Sequence, residues 1–251
     1  MFRLAKIFCL AAACCAASPA SSRANINTYL KLTPNQGVEV VLGDLVSKKV
    51  PGLWVGDKLF DNFVFTSTGD MPKADRVVVT AITDAGGHLG IRFQGSFADF
   101  ADVGTQLASD AGITFDVAVD PDHVRQGWII TDAHLYGAGV NAAGPGAFIS
   151  VDETFTGNTP IIPSTMKVFL STLGPGGSKF QDSVVFSQGY TKLRVQKGVI
   201  ARAGQDHIGP VRMAIIDQTF SQEQDKPIPE PASAGLLGLA CSTWLGRRRR
   251  R

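Results

Sequence analysis

Residues 113–120 place Ile113, Phe115, Val117 and Val119 on one side of an extended chain and Thr114, Asp116, Ala118 and Asp120 on the other. A period of two predicts a strand with one face buried and one wet. Similar runs recur at 37–42, 58–66, 76–82, 89–93, 128–136, 147–155, 166–172, 183–187, 193–201 and 211–220. Turn formers separate them: Gly56 and Asp57, Asp84 to Gly87, Asp120 to Asp122, Gly144 to Gly146, and Gly174 to Gly177. Glycine reaches left-handed backbone freely, proline presets φ, and Asp bonds its own backbone, so each cluster reverses the chain. No interval holds a long 3.6-residue period, and only 97–107 is left for a short helix or irregular loop. About ten or eleven short strands with such turns predict an all-β body, an antiparallel β-sandwich of jelly-roll-like kind, over 21–220. Residues 221–228 are polar and Pro-bearing and read as a linker.

The two ends of the chain differ from this body. Arg3 and Lys6 precede an apolar run at 7–17, and small residues follow at 18–22. That is the layout of a secretory signal peptide over 1–20, implying the export translocon and signal peptidase as partners. The run is too short for a permanent span, which needs about 20 residues. Acylation of Cys14 or Cys15 as a lipoprotein signal is the alternative reading. Cys9, Cys14 and Cys15 lie in this leader and Cys241 in the tail. A body without Cys excludes thiolate catalysis, Cys-ligated zinc and iron–sulfur clusters. The formal charge of +2 conceals an acidic body: residues 21–229 carry 17 basic and 21 acidic side chains, a net −4. No nucleic-acid partner is expected of such a surface.

The tail reads Pro229, Glu230, Pro231, then 15 uncharged residues at 232–246, then Arg247, Arg248, Arg249, Arg250 and Arg251. As a helix the middle piece is about 22 Å long, against a hydrocarbon core of about 30 Å. It reads as a short transmembrane helix that five guanidiniums would hold at the cytoplasmic face, with Trp244 expected at interface depth. The prolines keep the preceding tripeptide extended and open to a peptidase.

This three-part ending, 229–251, resembles the PEP-CTERM protein-sorting signal of Gram-negative bacteria. The resemblance implies an exosortase partner, a membrane-embedded cysteine peptidase-transpeptidase that cleaves near Pro229, Glu230 and Pro231. It implies a transient inner-membrane intermediate and a final place at the cell surface or outside, in cells that make exopolysaccharide. Two stretches of the body, Val55-Gly56-Asp57-Lys58-Leu59-Phe60-Asp61-Asn62-Phe63 and Ile216-Asp217-Gln218-Thr219-Phe220-Ser221-Gln222, resemble PEP-CTERM surface proteins of unassigned activity.

No catalytic residue is legible in the body. His88, His123, His134 and His207 have no partner at metal-ligand spacing, and neither a G-x-S-x-G elbow nor a P-loop occurs. Two-carboxylate glycoside hydrolysis could draw, for instance, on Asp152 and Glu153 opposite Asp132 across a sheet, yet neighbours Asp152 and Glu153 on one strand face opposite ways. Asp116, Asp120 and Asp122 are hard oxygen ligands around one turn, a candidate Ca2+ site and the one cofactor suggested. Trp54 is the candidate for stacking on a sugar ring, while the abundant Phe belongs to the core. The expectation is a non-enzymatic surface or matrix protein. The alternatives are a carbohydrate-binding module for exopolysaccharide and a secreted glycan-active hydrolase.

Overall fold

A computed structural model describes residues 29–100, 108–157, 162–172, 177–204 and 209–225. The segments read as a leader (1–20) and a sorting tail (229–251) lie outside the described residues.

The body is an all-β sandwich of two sheets. Sheet I runs, in spatial order, β1 (Leu30–Leu32), β3 (Gly52–Val55), β4 (Lys58–Ser67), β7 (Ser109–Val119), β14 (Lys192–Arg202), β10 (Phe148–Thr156), β11 (Ile162–Ser171) and β12 (Gly177–Lys179). Sheet II runs β13 (Gln181–Tyr190), β8 (Trp128–Ala138), β15 (Val211–Gln224), β6 (Leu89–Asp99), β5 (Val78–Thr83) and β2 (Glu39–Val41), and β9 (Asn141–Ala142) also pairs with β15. Every predicted run overlaps one of these strands, and all but 37–42 fall wholly or largely within one; of that run only Glu39–Val41 is strand and Leu42 begins a helix. All pairings among the described residues are antiparallel except β1 with β3, which is parallel. The chain leaves β1, crosses to sheet II for β2, and returns through the helix α1 (Leu42–Val46), so β3 re-enters sheet I in the direction of β1.

Alternation makes the interior. In β7, Ile113, Phe115 and Val117 have no exposure, as the period of two requires. Phe115 centres an aromatic cluster spanning both sheets: Phe60 and Phe63 of β4 lie 6.1 and 5.6 Å from it, and Phe93 of β6 lies 5.7 Å away. Each such ring contributes about 1.5–3 kcal/mol by leaving water.

Three local readings are corrected. The interval 97–107 is not uniformly loop or helix: Phe97, Ala98 and Asp99 continue β6, with Phe97 and Ala98 buried, because β15 extends far enough to pair them. The polar stretch at 221–224 is strand rather than linker, since Ser221 to Gln224 pair with β8 as far as Trp128. The turn at Asp120 opens a one-turn helix, α2 (Pro121–Arg125): Asp120 accepts the Asp122 N–H as N-cap, and Pro121 sits where no N–H is needed. The β3–β4 hairpin does turn at Gly56 and Asp57, with Gly56 at φ 59°. No helix among the described residues is long and apolar enough to cross a membrane.

Candidate functional site

The outward face of sheet II carries a groove of about 670 Å³, lined from β5, β6, β8, β13, β15 and the β5–β6 turn. Strand register builds it. Asp217 of β15 sits opposite Arg92 of β6 on one side and Tyr136 of β8 on the other, and Tyr136 sits opposite Gln181 of β13. One row therefore reads Arg92, Asp217, Tyr136, Gln181 across four strands. The next row reads Gly90, Thr219, His134, Ser183. Gly90 lets β6 close on β15, since a Cβ there would lie 1.9 Å from the Gln218 carbonyl oxygen.

In the first row, Arg92 donates from Nε and Nη2 to the two carboxylate oxygens of Asp217, at 2.7 and 2.9 Å. This bidentate pair fixes both planes and leaves further N–H donors and oxygen lone pairs for a ligand. Beside it Tyr136 is 44% exposed, a large amphipathic ring held open on a strand.

At the second row, the β5–β6 turn brings Asp84 to Thr219 and His88 to His134. Asp84 Oδ1 accepts the backbone N–H groups of Gly86 and His88, at 2.8 and 2.9 Å. Its Oδ2 accepts the Thr219 hydroxyl at 2.7 Å and lies 3.0 Å from His88 Nδ1. Burial alone would raise the Asp84 carboxyl, but the hydrogen bonds from Thr219 and His88, with the His88 charge, hold it below the ordinary value. The His88 ring stacks on His134, centroids 4.4 Å apart and planes within 5°. His134 Nε2 is 3.0 Å from Asp132 and 3.4 Å from Ser221 Oγ.

Of the residues singled out by sequence for ligand, ion or hydrolase roles, Asp132 alone lies beside the groove, 3.0 Å from His134 Nε2, and the others are placed elsewhere. Trp54 is on β3 in sheet I, away from the groove; its indole N–H is donated to the Gly56 carbonyl at 2.6 Å, and Lys31 Nζ lies 5.1 Å over the ring. The Ca2+ candidates are not gathered. Asp116 is buried against Lys192 and Arg194, at 2.9 and 3.3 Å, Asp120 caps α2, and Asp122 pairs with Arg125. Among the described residues these three carboxylates do not come close enough together to share one ion. Among the hydrolase candidates, Glu153 is fully enclosed between the sheets, paired with Lys197, so no substrate reaches it. Asp152 faces the other way, to Lys167 at 3.0 Å. Pro229, Glu230, Pro231 and Arg247 to Arg251 lie outside the described residues.

The stretch from Ile216 to Gln222 alternates between the core and the groove. Ile216, Gln218 and Phe220 have no exposure and point into the sandwich, whereas Asp217 and Thr219 line the groove. The histidines, dispersed in sequence, gain partners only through register. The Asp84–Gly87 turn signal marks one end of the groove but not what faces it.

No family model matches this chain, and no curated protein matches it. Among solved structures it is similar to the carbohydrate-binding module TmCBM27, described for specific mannan recognition, at 10% identity over 73% of this chain and 96% of that one, with a TM-score of 0.29. The enzymatically active domain of Bacteriophage CBA120 tailspike protein 4 matches at 11% identity over 64% of this chain, with a TM-score of 0.25, and the match spans 19% of that protein. A family two carbohydrate esterase from Cellvibrio japonicus matches at 11% identity over 66% of this chain and 37% of that one, with a TM-score of 0.21. Likenesses this distant say nothing about what the groove binds.

Proposed function

We propose that the protein is an exported, non-catalytic glycan-binding protein of a bacterial cell surface or matrix. The observation that carries this reading is the row of Arg92, Asp217, Tyr136 and Gln181 across the open face of sheet II. A pyranose presents an apolar C–H face and a rim of hydroxyls that both donate and accept. Tyr136 offers a flat apolar surface to the first. Arg92, Asp217 and Gln181 offer paired donors and acceptors to the second. Strands hold these groups more rigidly than loops would, which lowers the ordering cost of binding.

Delivery is part of the same proposal. The leader (1–20) sends the body across the inner membrane, and the short helix with its arginines holds it there. An exosortase acting at Pro229, Glu230 and Pro231 then releases it to the surface or matrix, where exopolysaccharide is the ligand at hand.

The test is titration of the mature exported protein with oligosaccharides and with the polysaccharide of its own cells. Binding is expected, and Tyr136→Ala should weaken it at least about tenfold, or ~1.4 kcal/mol. Trp54→Ala should leave it unchanged. The reading fails if no glycan binds, or if Tyr136→Ala binds as tightly as the native protein.

A further inference from the structure

We infer that Asp84, His88 and His134 bind one divalent transition-metal ion of the zinc class at the end of the groove. The inference goes beyond glycan recognition and does not depend on it. One carboxylate oxygen and one nitrogen from each imidazole lie within 4.8 Å of one another, and these residues make up this cluster among the described residues. Zinc-type bonds of about 2.0–2.2 Å set tetrahedral ligand atoms about 3.4 Å apart, and because the two imidazoles are stacked in near-parallel planes, one ring turns out of the stack to bring its in-plane nitrogen lone pair onto the shared ion. Two nitrogens and one carboxylate oxygen suit zinc, copper or nickel and disfavour calcium, which takes six or more oxygens.

The surroundings have what such a site needs. Asp84 is braced by two backbone N–H groups and by Thr219, so its position survives without an ion. Asp132 lies 3.0 Å from Nε2 of His134, which leaves Nδ1 for the metal and places a carboxylate behind the ring, the outer-shell partner that fixes a metal-bound imidazole. The groove's guanidinium, Arg92, is already neutralised by Asp217 and sets up little repulsion. Side-chain exposures of 29–31% leave all three ligands open to an ion from solution. Three protein ligands leave a coordination position for water.

The experiment uses tag-free mature protein stripped by a chelator, titrated calorimetrically with Zn2+ and spectroscopically with Co2+. One ion per chain is expected, with the visible bands of a four- or five-coordinate Co2+ centre. His88→Ala and His134→Ala should each weaken binding at least about 100-fold, and Asp132→Asn by about 10–100-fold. Metal-free melting of each variant reports whether it has folded. In the native protein, independently of any variant, Zn2+ should shift the imidazole proton resonances of His88 and His134 and not those of His123 or His207. Absence of one-to-one uptake, or shifts confined to the other two histidines, overturns the site. Glycan titrations in excess chelator test the groove reading separately, so either can fail alone.

Discussion

Lys197 of β14 and Glu153 of β10 stand opposite each other in sheet I and form an ion pair between the sheets, with no exposure of either side chain. Lys197 also donates to the amide oxygen of Gln218, from β15 of sheet II, so one ammonium ties the two layers together. Burial pushes the Glu153 carboxyl up and the Lys197 ammonium down, each against its partner's attraction.

Removing one member leaves a buried charge alone. Lys197→Met should cost about 3–5 kcal/mol in urea unfolding, a large share of an ordinary domain's stability. The triple variant Lys197→Met, Glu153→Leu, Gln218→Leu should recover most of that loss, because the desolvation cost vanishes with the charges. A triple variant no more stable than the single one would show that the cluster is net favourable.

The groove's first row separates stability from binding. Tyr136 is exposed and should be replaceable by Ala with little change in melting temperature. Arg92→Ala removes both guanidinium hydrogen bonds from the nearly buried Asp217. It should lower stability by about 1–3 kcal/mol as well as weaken any glycan contact. Thermal melts of the two variants, set beside their glycan titrations, check the split.

Asp182 joins the sheets at the groove's other end. Its Oδ2 accepts the Lys167 N–H of β11 at 2.8 Å, and its Oδ1 meets Lys179 Nζ at 2.7 Å. Burial alone would raise this carboxyl, but Lys179 and the backbone N–H groups of Lys167 and Ser183 hold it below its ordinary value. A depressed folded-state pKa means stability fully present above the unfolded value of about 3.9 and lost as pH falls through the lower, folded one. Asp182→Asn should therefore be less stable at neutral pH by roughly 1–2 kcal/mol. The difference should shrink as the pH drops below about 4, as read from denaturant curves across that range.

Delivery makes its own prediction. Replacing Pro229, Glu230 and Pro231 with alanines should leave full-length protein in the membrane fraction. Intact-mass measurement of the native mature protein should find Arg247 to Arg251 gone. Normal trimming of the alanine variant, or retention of those arginines, would refute the sorting assignment.

The strands were legible because a strand's faces alternate along the chain itself: Ile113, Phe115 and Val117 announce their side without reference to any partner. The hairpin at Gly56 was legible for a similar local reason, and so was the opposition of Asp152 to Glu153. The helix α2 was not, because Asp120 and Pro121 begin a turn and a helix alike, and the residues that follow decide. Nor was the end of β15, whose polar residues Ser221 to Gln224 are strand only because β8 lies alongside to pair with them.

The candidate site was hidden for a different reason. Arg92 and Asp217 are 125 residues apart, and Asp84 and Thr219 are 135 apart. An all-β body with alternating buried and exposed positions, broken by turns at definite places, follows from the order of residues along the chain. Which exposed positions meet was decided by the order and register of strands in sheet II, which bring Asp84, His88 and His134 together and set Arg92 beside Asp217 and Tyr136. Alternation is imposed by each residue's own backbone geometry, whereas neighbourhood across a sheet is a property of chain segments that know of each other only after folding.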